Sequence, residues 1–552
     1  MSPGPSRSMA MLLLLASGCA NPSPRSPDPS NPFLEDQSNH ARADTAYYNP
    51  DGIEVEVDLE GDIEAGTADP GRAPALLAQF AQTALRNRHA FYLQSVADAA
   101  SASGRTEWLV DGAWLAADRA NKVGRASLTH FRLRGINAVL LHEVASGVRQ
   151  GDTFKAKVPL KPFSLYHDAG SSCADANVHV TLDQAVYWYL WNPSLPACRA
   201  AVQDLKLTVS RLAPQAVTTY PEYDQLVQDG KVTAVMLFGK VDSGPLTESD
   251  PGMVQLRTMA GWLRESGFAE VPDAPVGQRF SKRVGEVDLE VDLYSPSDFA
   301  GLGDYENLLN FDTAVTEHEI VIFQGHSLLG ASDLWGNQRY PASYQIFLYG
   351  GCLGYEYYVN PILKAKGGWN HLDLVSSATP VPAEDEPGAA FVAKLAWSLG
   401  HGYAASWRDL LGAISHRLGT STFGVSGVRD NAYSPAGAST RHEHDAAVAI
   451  PDGDEAGVSS VIHVPELLAA KSVTLELDVS HESISDLTFS LEHGGTPVVF
   501  WDQQDEGDTI REGFTLDAFA GQQAQGTWTL HVTDHWQLYS GRANRWALIL
   551  EH

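Results

Sequence analysis

The sequence predicts a multidomain protein with an α+β N-terminal region, an α/β domain on a mainly parallel sheet, and a C-terminal all-β, jelly-roll-type sandwich. Three observations carry this. Over residues 231–417 short apolar runs alternate with helix-sized amphipathic stretches, the pattern of a parallel sheet covered on both faces. From 445 to 552, alternating runs such as Val473-Thr474-Leu475-Glu476-Leu477-Asp478-Val479 are separated by Gly and Asp turns, as in a sandwich. A chain of 552 residues, 44% hydrophobic and 19% charged, has the length and apolar content for several cores.

The first element is a leader. Arg7 is followed by an apolar run from Met9 to Ala16, then by the small residues Ser17 and Gly18 and by Cys19. That run is shorter than the ~20 residues a spanning helix needs. Leu15-Ala16-Ser17-Gly18-Cys19 resembles the lipobox of bacterial lipoproteins, which implies a signal peptide over 1–18, cleavage before Cys19 and acylation of that cysteine. Residues 19–47, rich in Pro, Ser, Asn and Asp, bury too little apolar surface to fold and read as a tether. The expected location is outside the cytoplasm, lipid-anchored to the bacterial cell envelope at the outer membrane or surface, with a freely secreted form as the alternative.

The formal net charge of −30 argues against a nucleic-acid partner. No later stretch is long and apolar enough to span a bilayer, so membrane contact is expected through the N-terminal lipid only, on a monomeric soluble body. Of the four cysteines, Cys173 and Cys198 are close in sequence in loop-like contexts and are expected to pair in an oxidising compartment. Cys352 is left over.

Residues 48–228 form the α+β domain, with helical periodicity over 75–99 and strand-like runs at 129–143, 153–160, 177–182 and 201–212. The aromatic run Tyr187-Trp188-Tyr189-Leu190-Trp191 reads as core packing in preference to a ligand platform. In the α/β domain, 229–423, a strand covers 232–238, and Asp250-Pro251 starts a helix that Gly267 stops. Further strands are expected over 284–293, 319–323, 344–349 and 372–377, with a helix around 305–314 and two more between Gly388 and Arg417. Residues 424–444, rich in Gly, Ser and His, read as a linker to the sandwich at 445–552.

Two strands end in reactive residues. Ile320-Val321-Ile322-Phe323-Gln324-Gly325 leads into His326 and Ser327, and Ile346-Phe347-Leu348-Tyr349-Gly350-Gly351 leads into Cys352. Ligands of open parallel sheets bind beyond the carboxyl ends of the strands, so an imidazole and a thiol at neighbouring strand ends can act together. A thiol with an imidazole suffices for acyl transfer through a covalent intermediate, with no cofactor required. Glycines 350, 351 and 354 allow close backbone approach, and the Cys352 amide is a candidate oxyanion donor. Gly325, Ser327 and Gly351, with Asp242 and Ser243 at the end of the first strand, are the candidate oxyanion and groove residues.

Over 231–418 this pattern is similar to the cysteine peptidases of the caspase, gingipain and legumain fold, in which one apolar strand precedes a catalytic histidine and the next a catalytic cysteine. The resemblance implies that Cys352 is nucleophile and His326 its acid and base. Many members carry glycine after the histidine where this chain has Ser327.

The last hundred or so residues resemble the P domain that follows the catalytic domain of kexin- and furin-like proprotein convertases. Ile450-Pro451-Asp452, Val479-Ser480-His481, Ser485-Asp486-Leu487, the block from Gly526 to Asp534 and Asn544-Arg545-Trp546-Ala547-Leu548 occur in the family's order. The resemblance admits a calcium ion there, although Asp486 and Asp534 read as turn-holding carboxylates and no metal ligands are assigned. It also brings a serine-peptidase alternative: Asp242, His326 and Ser421 stand in the subtilisin order without the flanking motifs. A third reading is a non-catalytic surface lipoprotein that only binds partners, since a fold does not establish an activity.

Overall fold

The computed structural model describes residues 47–66, 72–94, 104–120, 122–168, 172–175, 190–213, 219–300, 307–327, 333–428, 431, 433–435, 439–444, 447–504 and 507–552. The leader, Cys19 and the tether, apart from Tyr47, lie outside these residues. Among them no helix is long and apolar enough to cross a membrane.

The N-terminal domain is a seven-stranded antiparallel sheet against one long helix, α1 (Ala73–His89). Its strands are β1 (Gly52–Asp62), β2 (Phe91–Leu93), β3 (Thr106–Val110), β4 (Ala113–Ala116), β5 (His130–Leu141), β6 (Thr153–Pro159) and β7 (Val202–Leu212). Their order is β4-β3-β5-β1-β7-β6, with β2 also on β5. Pro74 suits the first turn of α1, and Leu77, Phe80, Ala81 and Leu85 bury one face of it against the sheet.

The helix is shorter than its periodicity predicts. Ala90 turns left-handed at φ 45°, and Phe91, Tyr92 and Leu93 pair with β5 instead. Short apolar runs are ambiguous between helix and strand, and here the sheet edge decides. Trp191 is buried against Phe80 at 5.2 Å between ring centroids, and its Nε1 donates to the Lys157 carbonyl at 2.8 Å. That end of the aromatic run is core, whereas Tyr187, Trp188, Tyr189 and the strand expected over 177–182 lie outside the described residues. Cys173 and Cys198 form a disulfide.

The middle domain holds an eight-stranded mixed sheet: β8 (Lys231–Phe238), β9 (Ala269–Val271), β10 (Gln278–Val284), β11 (Val287–Tyr294), β12 (Ile320–Gln324), β13 (Gln345–Tyr349), β14 (Leu372–Ser377) and β15 (Phe423–Ser426). The order is β15-β14-β13-β12-β8-β11-β10-β9, and the five strands from β14 to β11 run parallel. Its helices include α2 (Pro251–Glu265), α3 (Leu308–Glu317), α4 (Gly354–Tyr357), α5 (Val359–Lys366), α6 (Pro387–Leu399) and α7 (Trp407–Leu418). Asp250 caps α2 by accepting the Gly252 amide at 2.9 Å. The strand expected over 284–293 is β11, which starts three residues later, and β10 before it is an additional strand. Gly285, at φ 59°, turns the chain so that β10 and β11 pair antiparallel.

The stretch read as a linker over 424–444 is structured at both ends. Phe423–Ser426 closes the sheet as an antiparallel edge on β14, and Tyr48 bridges to Val425 from the other side. Ser439–His444 is β16, the first strand of the sandwich. Its alternation is of polar residues and half-exposed, so no hydrophobic period marks it.

The C-terminal domain packs two antiparallel sheets. One has the order β16-β24-β19-β22 with β17 on β24, the other β18-β23-β20-β21. The strands after β16 are β17 (Val448–Ile450), β18 (Val458–Val464), β19 (Ser472–His481), β20 (Leu487–His493), β21 (Thr496–Asp502), β22 (Thr509–Thr515), β23 (Gly526–Asp534) and β24 (Gly541–Glu551). Trp528 and Trp546 are buried, and the Trp546 Nε1 donates to the Ser460 hydroxyl at 2.9 Å.

Candidate active site

Every residue of β12 and β13 is buried, which is why both read as unbroken apolar runs. They pair in register from Ile320 with Ile346 to Phe323 with Tyr349, so the two chains leave the sheet side by side. The Gly350 amide donates to the Phe323 carbonyl and the Gly239 amide to the Gln324 carbonyl, each at 2.7 Å. The turns after β8, β12 and β13 are therefore laced together at one edge.

Glycine permits this closeness. A β-carbon on Gly351 would lie 2.5 Å from the Ser327 Oγ, 2.8 Å from Tyr349 Cε1 and 3.2 Å from the Gly325 carbonyl oxygen. One on Gly325 would meet the Gly239 Cα at 2.8 Å. His326 thus lies between two residues that touch Gly351, and Gly351 precedes Cys352. The Ser327 hydroxyl is 3.1 Å from that of Tyr349, whose ring stacks on Tyr358 at 4.2 Å.

Cys352 is half-buried at the start of the turn into α4. Its thiol donates to the Val381 carbonyl at 3.6 Å and accepts from the Val381 amide at 3.4 Å. Burial pushes the thiol up, while the Val381 amide and the Arg86 guanidinium pull it down. His326 is exposed and makes no hydrogen bond or ion pair among the described residues. The two strand ends are adjacent, yet the thiol is bonded to Val381 and not to the imidazole. Catalytic hydrogen bonds of ligand-free sites are often long and tighten only with substrate.

Asp242 and Ser243 are exposed on the turn after β8, beside the β12 turn. The Asp242 amide donates to Asp250 at 2.9 Å, and its side chain has no partner among the described residues. Ser421 precedes β15, and its carbonyl accepts from Asn49 at 2.8 Å. Between β15 and β12 stand β14 and β13, so Ser421 is three strand spacings from the histidine strand, about 14 Å at ~4.8 Å each.

Residues the sequence did not single out complete the surroundings. Val381 reaches the thiol from the chain after β14. Arg86, on α1 of the N-terminal domain, pairs with Glu356 on α4 at 2.7 Å. No local motif marks either residue. A cavity of about 210 Å³, walled by Met236, Phe238, Met259 and Trp262 with the charged Glu386 and Arg417, reaches Gln324 at the end of β12.

In the sandwich, the Asp534 carboxylate accepts the Trp536 amide at 3.1 Å and lies 3.4 Å from the His481 Nε2, which makes it a turn-holding group. Among the described residues no three His, Cys, Asp or Glu side chains converge as a metal-binding group.

The architecture is thus a multidomain α/β protein with a mixed, mostly parallel central sheet and an antiparallel C-terminal sandwich. Residues 470–550 match the proprotein convertase P-domain family. No curated protein matches the chain. Similar solved structures include the serine protease of Aeromonas sobria in complex with a chaperone, at 18% identity over 21% of this chain and 28% of that one, TM-score 0.19. The same serine protease alone gives 17% identity over 26% and 30%, TM-score 0.18, and FLHE gives 12% over 21% and 97%, TM-score 0.16. The chain spans less than a third of the length of either Aeromonas sobria structure.

Proposed function

We propose that the protein is an exported endopeptidase that hydrolyses peptide bonds through Cys352 and His326. The P-domain match supports a peptidase in general, because that module accompanies processing proteases. The observation that carries the cysteine type is the contact of Gly351 with Gly325 and Ser327, which joins the turns bearing Cys352 and His326 at neighbouring parallel strand ends.

In the proposed reaction the Cys352 sulfur, its proton passed to His326, attacks the scissile carbonyl carbon. The carbonyl oxygen becomes an oxyanion within reach of the Cys352 and Ser327 amides. Collapse breaks the C–N bond, and the imidazolium gives its proton to the leaving amine. Water, deprotonated by His326, then attacks the thioester, releasing the acid product and restoring the thiol. Gly325, Gly351, Asp242 and Ser243 line the groove. The body acts as a monomer on protein or peptide substrates, without a cofactor or nucleic acid, held to the cell envelope by lipid on Cys19.

The P-domain match by itself favours a serine-type peptidase more than a cysteine-type one, and that second reading uses Asp242, His326 and Ser421. Its weakness is the strand spacing between Ser421 and His326. Labelling with a thiol-reactive peptide electrophile and with a fluorophosphonate separates the two. Cysteine-type chemistry gives thiol labelling that is lost in Cys352→Ala and slowed in His326→Ala. Fluorophosphonate labelling lost in Ser421→Ala would instead establish the serine type. Absence of both labels and of peptide hydrolysis would leave a binding protein.

A further inference from the structure

The C-terminal sandwich turns three large apolar side chains outward at one tip. In the turn between β23 and β24, Trp536 is 62% exposed, Leu538 85% and Tyr539 45%. Single exposed apolar residues are ordinary, whereas three within four residues make a patch, and such patches mark interaction surfaces. The turn is firmly held. The Trp536 amide donates to Asp534 at 3.1 Å, the Leu538 amide to Asp452 at 2.9 Å and the Ser540 amide to Glu482 at 3.1 Å. Leu538 sits at φ 115°, a backbone region that disfavours every residue with a β-carbon. A strained backbone and an exposed leucine both oppose folding, and a residue that combines them points to a use outside the fold.

The rim of the tip is acidic. Asp452 and Glu482, which hold its amides, are exposed residues. A β-carbon on Gly453 would stand 2.5 Å from the Gln537 Cγ, so the turn bearing the exposed Asp454 and Glu455 lies against the tip as well. Against these carboxylates the stretch from His535 to Arg542 offers one permanent cation, Arg542. We propose that the β23–β24 turn is a docking surface for a polypeptide segment in which apolar side chains are flanked by lysine or arginine. Trp536 and Tyr539 are of the residue types that anchor interfaces, and Leu538 stands between them. The acidic rim and the net charge of −30 favour the approach of a cationic segment and disfavour an anionic bilayer. Because the turn is already fixed, little ordering is left to be done on binding. This surface works whatever the catalytic type of the middle domain.

The test uses the full-length chain carrying Cys352→Ala and Ser421→Ala, so that cleavage of the probe does not enter. The probe is a fluorescein-labelled peptide of repeating Lys-Leu-Phe units, with binding read by fluorescence anisotropy. Trp536→Ser should weaken binding about tenfold or more, as loss of an interface anchor does. Leu538→Gly should weaken it on the same scale, about tenfold, while the thermal midpoint does not fall, because glycine accepts this backbone without strain. A purely structural turn predicts the reverse for Leu538→Gly. Asp452→Asn keeps an acceptor for the Leu538 amide and removes a charge, so binding should weaken about threefold and depend less on salt. The same peptide with glutamate in place of lysine should not bind. Equal binding of the two peptides, or unchanged binding in Trp536→Ser and Leu538→Gly, would overturn the proposal. So would variants that lose attachment to phosphatidylcholine vesicles but keep the peptide, since the tip would then be a membrane contact.

Discussion

Gly351 and Ser327 approach so closely that a single methyl group on Gly351 would stand 2.5 Å from the Ser327 hydroxyl oxygen. The hydroxyl can rotate, but the Tyr349 ring, 2.8 Å from the same point, is held by its stack on Tyr358. Gly351→Ala should therefore push the Cys352 turn away from the histidine turn. Labelling of Cys352 by a peptide electrophile is expected to fall about tenfold or more, the scale of a misplacement near 1 Å. The thermal midpoint should fall as well, since Gly351 is buried and overpacking costs about 1–3 kcal/mol. Labelling at the wild-type rate would separate the two turns functionally.

Replacing the reacting groups should have unequal effects. Cys352→Ala removes the nucleophile, and hydrolysis of peptide substrates should drop to background. His326→Ala removes only the proton carrier, and turnover should fall by roughly 10²-fold or more, in the range of general acid–base catalysis. Steady-state hydrolysis by purified variants checks both, and retention of activity in Cys352→Ala would exclude the cysteine mechanism.

Two buried carboxyls give stability a defined pH dependence. Burial pushes Glu356 from 4.5 up to about 7. Burial also raises Asp373 from 3.8 to about 7, against the pull of Tyr344, Asn431 and Trp407, which donate to it. Each group holds its proton more tightly folded than unfolded. Their contribution is thus fully present below the unfolded values and is lost as pH rises through about 7. The thermal midpoint should fall by a few °C, on the order expected for ~1–2 kcal/mol in a large domain, between pH 5 and pH 8. In Glu356→Gln and Asp373→Asn that slope should flatten. A midpoint that rises over this range would contradict the assignment.

The Cys173–Cys198 disulfide closes a loop of 25 residues in sequence separation within the N-terminal domain. Replacing both cysteines by alanine should cost about 3 kcal/mol in the chain-entropy account. Unfolding of this domain, followed by denaturant titration of the full chain with and without reductant, would read the loss. Wild-type protein in reductant should match the double variant, and equal stability of oxidised wild type and double variant would show that the crosslink contributes nothing.

Much of the molecule is legible in its residues because local patterns report local structure. The buried strands β8, β12, β13 and β14 announce themselves as apolar runs, and Asp250, Pro251 and Gly267 mark both ends of α2. The disulfide partners were the pair that spacing suggested, and the blocks around His481, Trp528 and Trp546 identified the module that the family match covers. Where hydrophobic period was weak, the reading failed. The polar strand β16 gave no apolar signal and the three residues of β2 looked like a continuing helix, whereas β1, with Ile53, Val55, Val57 and Leu59 alternating with acidic residues, carried a period-two signal that went unread.

By itself, the sequence determined that a histidine and an unpaired cysteine follow two apolar strands of the central sheet, and at which end of it they stand, since both follow from the order of strands and turns along the chain. Only the tertiary structure decided what those residues touch. Val381 on the Cys352 thiol, and Arg86 on Glu356 from 270 residues away, are contacts between elements distant in sequence. Backbone periodicity encodes burial within one element, whereas such contacts depend on how separate elements pack, and no local spacing records that.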